Sequence, residues 1–227
     1  MLPKTKEQLT VSELFASERR YTFNDIISYE VNTGYVVPHR NVSKLKKRKC
    51  TNTNPMIWSE AMLCTGRFSS DSKSLTHSEK WYQSESKSGL ITEPCILIKR
   101  TSSKEQPRRI HAAIVSQKYI DLHGGFYAEN HLNVMRKTGS TLITLSAVLK
   151  LLQTRLFDQL FRCINGTVTV SSSELNQILS PSPEAFKEFS LTIKDSYDAD
   201  TIEQAARVAY DYDQIFEYNF KRLERAK

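Results

Sequence analysis

From Arg100 to Arg109 the chain reads Arg-Thr-Ser-Ser-Lys-Glu-Gln-Pro-Arg-Arg, four cations and three hydroxyls in ten residues. Arginine forks donate in pairs to phosphate oxygens or guanine edges, and short hydroxyls such as Thr101 and Ser102 add neutral donors, so this composition suits a phosphate-gripping edge. It equally suits a solvated hairpin in which Lys104 pairs with Glu105. A second constellation, Asn130-His131-Leu132-Asn133, lies just after His123-Gly124-Gly125. Its amide and imidazole groups have the chemistry to meet bases or phosphates, or to hold a turn together. A third, Phe161-Arg162-Cys163-Ile164-Asn165-Gly166-Thr167, reads as a helix end whose Asn165-Gly166 step favours left-handed backbone. The densest positive run, His39, Arg40, Lys44, Lys46, Lys47, Arg48 and Lys49, precedes Trp58 and reads as a phosphate-contacting or solvated face. His111, on an apolar stretch, reads as an interior histidine.

No catalytic constellation accompanies these groups. A methyl-transfer enzyme needs a glycine-bearing loop for its sulfonium cofactor, and an adenine-amino methylase needs an Asn/Asp-Pro-Pro-aromatic loop for the flipped base; the sequence has neither. Gly124-Gly125 lacks the spacing of a dinucleotide loop, and there is no P-loop, nucleophile elbow or His-Glu-x-x-His. Ser84-Glu85-Ser86-Lys87 has nuclease-like spacing but sits in a serine-rich stretch without a strand. Cys50, Cys64, Cys95 and Cys163 are scattered, without metal-ligand or disulfide spacing. The expectation is no catalytic residue, cofactor or metal in this chain.

Charge narrows the partner. The total is +7, yet residues 183–227 carry seven basic and ten acidic side chains, leaving +10 on residues 1–182. A basic body with a mildly acidic end fits a polyanion, because each neutralised phosphate releases condensed counterions. No apolar run approaches the ~20 residues of a membrane helix, and Met-Leu-Pro-Lys-Thr-Lys at the start lacks a signal-peptide core. A cytoplasmic protein without a membrane partner is expected.

The elements that must position these groups follow from patterning. Leu14-Phe15, Ile26-Ile27 and Tyr35-Val36-Val37, broken by Asn32-Thr33-Gly34, read as strand, turn, strand. Lys44–Lys49 reads as a short basic helix or loop, Pro55–Cys64 as one or two strands, and 68–89 as a long exposed loop. Cys95–Arg100 and Arg109–Val115 read as a hairpin or as neighbouring strands, and Phe126–Val134 as a further strand. From Thr141, Leu142, Leu145, Val148, Leu151, Leu152, Leu156, Leu160 and Phe161 recur at helical spacing. Thr167–Val170 reads as a short strand, Ser172-Ser173-Glu174 as a helix start, and Glu184–Lys194 and Asp200–Glu224 as closing helices. The fold class expected is α+β, a twisted mixed sheet with packed helices, organised as residues 1–182 with a helical segment 183–227 packing on them.

In combination, four segments resemble the C-terminal half of gamma-type adenine-specific DNA methyltransferases of type II restriction-modification systems. They are Val31–Arg40, then Ile98–Gln106 with Arg108-Arg109-Ile110, then Glu129–Asn133, and finally Phe161–Ser171 with Glu174-Leu175, in family order over roughly residues 31–181. In that family a cofactor-binding catalytic domain precedes a recognition domain that reads bases. The resemblance therefore implies a DNA target-recognition domain binding double-stranded DNA. Its methyltransferase catalytic domain, in cis or in trans, would hold the parent enzyme's S-adenosylmethionine. The chain departs from the full-length pattern by lacking both catalytic motifs. The contact set expected is Arg40, Lys46, Lys47, Arg100, Thr101, Ser102, Lys104, Arg108, Arg109, Asn130, His131 and Asn165, converging on one basic surface, with loop 68–89 contributing base readout. The alternative is a specificity subunit or an interaction scaffold that docks a methylase or nuclease subunit through Tyr210, Tyr212, Ile215, Phe216 and Tyr218.

Overall fold

An apolar residue at every position from Cys95 to Ile98 demands cover on both faces of a strand, and that demand organises the fold. The computed structural model describes residues 9–10, 13–14, 21–23, 28–62, 69, 76–215 and 217. Among these, the strands are β1 (Tyr21–Thr22), β2 (Tyr29–Thr33), β3 (Leu45–Lys46), β4 (Thr53–Ile57), β5 (Trp81–Gln83), β6 (Cys95–Lys99), β7 (Ala112–Val115), β8 (Tyr127–Ala128), β9 (Leu132–Lys137) and β10 (Leu179–Ser180). The α-helices are α1 (Gln117–His123), α2 (Leu145–Leu152), α3 (Arg155–Ile164), α4 (Ser172–Gln177), α5 (Pro183–Thr192) and α6 (Ala199–Ala209). The fold is α+β.

The central sheet runs β2-β9-β6-β7, antiparallel throughout, with β6 held between β9 (Leu97 opposite Val134) and β7 (Cys95 opposite Val115). Side chains alternate across it. Val31, Ile96, Ile98, Ala112 and Met135 face a core built with Leu151, Phe157, Leu160 and Phe186 of the helices. Cys95, Leu97, Ala113, Val115 and Val134 face the opposite way, onto Ile57, Ala61, Phe126 and Ala128. On that side lies a second sheet, β3-β5-β4-β8, mixed because β4 pairs parallel to β8. It has an aromatic core of its own, with Trp58, Tyr82 and Tyr127. The molecule is thus layered: helices, central sheet, second sheet. The hairpin read from Cys95 to Val115 is the β6–β7 pair.

The sheets meet where Gly34 N donates to Leu132 O and Val36 N to Ala128 O. A Cβ on Gly34 would stand 2.0 Å from the carbonyl oxygen of Glu129, so only glycine allows this approach. The expected turn at Asn32-Thr33-Gly34 is therefore a crossing: β2 runs through Thr33 to pair with Asn133, and the chain passes to a bridge between Val36 and Glu129.

Other expectations change for local reasons. The apolar periodicity from Leu142 to Phe161 spans two helices, because Thr154 leaves the spiral and its hydroxyl accepts from Phe157 N, capping α3. Thr167–Val170 forms only an isolated bridge, Thr169 to Thr101. Loop 68–89 contains β5, whose central Tyr82 is buried; residues 68 and 70–75 lie outside the described residues. Lys44–Lys49 holds the end of a 3-10 turn and strand β3. Helix α6 ends at Ala209, Asp211 follows with φ 54°, and residues 212–215 are helical again. The helix read from Ser172-Ser173-Glu174 is α4, with Ser171 just before it forming a capping box with Glu174, and α5 opens on the Ser182 cap with Pro183, one residue before the expected Glu184. Phe15, Ile26 and Ile27 lie outside the described residues.

Helices α5 and α6 share the core of the central sheet through Phe186, Phe189, Ala206 and Ala209. Tyr210 and Tyr212 are buried in that same core, as aromatics of closing helices more often are, and do not project toward a docked partner. Ile215 packs partly against it, and Phe216 and Tyr218 lie outside the described residues.

Candidate nucleic-acid interface

Arg109 is the first site residue the fold reassigns. It is 1% exposed: its Nε donates to Ser102 Oγ (2.9 Å), and its Nη2 to Asn165 Oδ1 (3.1 Å) and Thr167 O (2.7 Å). Its guanidinium stands 5.7 Å from the Phe161 ring centre, and burial, with Arg162 nearby, pulls its pKa below the ordinary arginine value. Ser102 and Asn165 are buried with it. Asn165 Nδ2 donates to Thr169 O and to the Glu174 carboxylate, fastening the capped start of α4 to the end of α3. The expectation that Arg109, Ser102 and Asn165 face DNA is corrected: a buried cation needs full pairing, and these residues supply it.

The same network fixes the neighbouring loop. Asp158 accepts from Arg109 N and from Arg162 Nε, and Arg162 donates onward to Lys104 O and Gln106 O. Lys104, Thr101 and Arg108 are exposed, but Arg108 donates to Gln153 O at the α2–α3 break. Among the described residues Lys104 forms no ion pair with Glu105, which instead accepts from Ser103. His111 is half-buried against Gln106, and burial, then Lys99, lowers its pKa, favouring the neutral ring.

Arg100, Asn130 and His131 meet at the junction of the sheets. Arg100 Nη1 donates to Asn130 O (3.0 Å), Arg100 N to His131 O, and Asn130 N to Val36 O. His131 Nδ1 lies 2.6 Å from Glu129 Oε1, while Glu129 Oε2 accepts from Ser59 N. Asn133, buried beside them, donates to Val170 O. The four family-like segments, far apart in the chain, are thus knitted into one hydrogen-bonded unit.

Arg40, Lys46 and Lys47 stand elsewhere, on the second sheet. Pro38–Arg40 and Val42–Lys44 form two consecutive 3-10 turns. Asn41 between them donates to Val37 O (2.9 Å) and accepts from the buried Tyr82 hydroxyl (3.0 Å). Burial, helped by Tyr35, raises the Tyr82 pKa and keeps that donor protonated. Lys44 Nζ lies 5.9 Å from the Tyr82 ring centre, Lys49 Nζ 5.7 Å from Trp81, and Lys46 stands opposite Trp81 across the β3–β5 ladder. Lysine stems thereby cover aromatic surface while their charges stay in water. None of the ion pairs among the described residues includes a cation from His39 to Lys49. Glu79 feels Lys47, but its carboxyl is held below the usual carboxylate range chiefly by the Ser78 hydroxyl.

The helical side contrasts. A shallow cleft of about 360 Å³ there is lined by Arg108, Lys150, Arg155, Tyr197, Asp200 and Glu203 among others. Lys150 donates to Ile193 O, Arg155 faces Asp200 and Glu203, and Glu203 accepts from Arg155 N and Leu156 N, filling the α3 N-terminus with the protein's own carboxylate. The expectation of one converging surface is therefore corrected. The cations divide between two layers, Arg40, Lys46 and Lys47 with the second sheet and Lys104 and Arg108 with the helices. Sequence reading treated 68–89 as loop and so missed β5, the aromatic floor of this strip; its signal was the adjacent pair Trp81-Tyr82.

Fold and site together define an α+β module carrying a basic, aromatic-floored face. No protein-family model and no curated protein matches the chain. A solved chain described under "Structural basis underlying complex assembly and conformational transition of the type I R-M system" is similar over 97% of this chain, at 12% identity and a TM-score of 0.48. The likeness covers 50% of that chain, so the present chain spans about half its length. Among the described residues no helix is long and apolar enough to cross a membrane, and no cluster of three or more His, Cys, Asp or Glu is placed to hold a metal.

Proposed function

We propose that this chain is a double-stranded-DNA recognition module of a restriction-modification system, working with an adenine-specific methyltransferase domain supplied in cis or in trans. That catalytic domain would hold S-adenosylmethionine; the present chain contributes DNA contact and register. The observation that carries the reading is the strip His39–Lys49, whose cations form no ion pair among the described residues and of which Lys44 and Lys49 rest on Tyr82 and Trp81. Lys46 donates to Ser43 O, and the other charges of the strip are left available for phosphates, whose neutralisation releases counterions. The ordered resemblance of four segments to the recognition half of adenine methyltransferases supplies the restriction-modification context. Lys104 and Arg108, on the helical layer, belong to a second set of contacts at most.

The test is charge reversal at two exposed positions outside the packed core. Lys47→Glu with Arg48→Glu is expected to weaken binding of a random-sequence duplex at least tenfold at ~0.1 M salt, a loss of about 1.4 kcal/mol, at unchanged melting temperature. Unchanged affinity in the folded double variant overturns the assignment of this strip.

A further inference from the structure

Phosphate contact and base reading place different demands on a cation. A lysine ammonium suffices for a phosphate, whereas the paired O6 and N7 acceptors of a guanine edge are best matched by the planar two-pronged donor of an arginine whose prongs are not already engaged. The described arginines divide sharply by that criterion. Arg100, Arg108, Arg109, Arg155, Arg162 and Arg207 all donate to carbonyl, hydroxyl, amide or carboxylate oxygens of the protein. Arg40 and Arg48 are exposed, and their guanidinium groups have no hydrogen bond or ion pair among the described residues. Arg136 likewise has none but stands opposite Glu30 in the β2–β9 ladder, within reach of a carboxylate.

The two open forks stand on the basic strip itself. Arg40 closes the 3-10 turn Pro38–Arg40, and the bond from Tyr82 through Asn41 to Val37 O pins that turn to the buried floor of the sheet. Its backbone is thus fixed before a ligand arrives, which lowers the ordering cost of a specific contact. Arg48 stands at the bend just after β3, between Lys47 and Lys49.

We propose that Arg40 and Arg48 are specificity-determining residues that read guanine in the duplex, while the lysines around them contact phosphates without regard to sequence. The inference rests on the DNA-recognition reading above and adds to it which side chains discriminate and which base they select.

The experiment is selection from a randomised duplex pool by the 227-residue chain, followed by sequencing of the retained DNA, for the unaltered protein and for Arg40→Lys, Arg48→Lys and Lys47→Ala. Arginine to lysine keeps the charge and removes the fork, so a phosphate contact survives it and a bidentate base contact does not. The unaltered protein is expected to enrich sites containing guanine. Arg40→Lys and Arg48→Lys should each lose at least tenfold of the preference at one base pair, at unchanged melting temperature. Lys47→Ala should weaken every sequence alike. If both lysine variants keep the original preference, or if the unaltered protein binds duplex without enriching guanine-containing sites, the guanine-reading assignment is overturned while DNA recognition stands. If the unaltered protein binds no duplex at all, both fall.

Discussion

Arg108 and Arg109 are adjacent in sequence and identical in chemistry, yet one is exposed and the other is 1% exposed among four oxygen acceptors. Removing a buried, hydrogen-bonded cation takes a donor from Ser102 Oγ and Thr167 O and leaves Asn165 Oδ1 with Thr167 N alone. Arg109→Ala is therefore expected to cost about 3 kcal/mol of folding stability, measured by denaturant unfolding. Arg108→Ala should leave stability within about 0.5 kcal/mol, as exposed substitutions usually do. Nothing in the string Pro-Arg-Arg-Ile announces which arginine turns inward. The decision is made by Asn165 and Asp158, more than forty residues downstream, which sequence spacing alone does not bring together. For the same reason Ser102 and Asn165 could be read as DNA contacts from their polarity, and only their burial shows that they serve the scaffold.

At the scale of elements, runs that satisfy their own pattern were legible and short pieces made by tertiary partners were not. The β6–β7 pair, α4 with its capping box and the closing helices follow from apolar runs, caps and Pro183. Strand β5 is three residues long and exists because β3 and β4 flank it. The break between α2 and α3 turns on one hydroxyl, Thr154. The return of the chain to β5 is held by Glu60, which accepts from Thr76 and His77 while His77 stacks on Trp58, ring centres 3.9 Å apart. Burial works to raise the Glu60 pKa, but the hydrogen bonds from Thr76 and His77 outweigh it and hold the group at about 2 against an ordinary 4.5. A depressed folded-state pKa contributes stability that is complete above pH 4.5 and disappears as pH falls toward 2. Glu60→Gln should accordingly lower the melting temperature at pH 6, and the gap to the unaltered protein should close by pH 2. A gap that persists unchanged at pH 2 would contradict the carboxylate's role.

For the whole molecule, layering decides where a polyanion can sit. The carboxylates of residues 183–215 lie with the helices, where Glu203 occupies a helix N-terminus and Arg155 is spent on Asp200. The densest run of positive charge lies across the central sheet, on the strip from His39 to Lys49, where no ion pair among the described residues engages it. Net charge was readable from composition, but its division between two faces required the alternation of β6 to place helices on one side and the second sheet on the other. The most direct test is hydrogen exchange of the backbone amides with and without a duplex. The account predicts slowed exchange in 42–50 and 79–84 on DNA binding, with little change in 183–209. Protection confined to 183–209, with 42–50 and 79–84 unaffected, would contradict it.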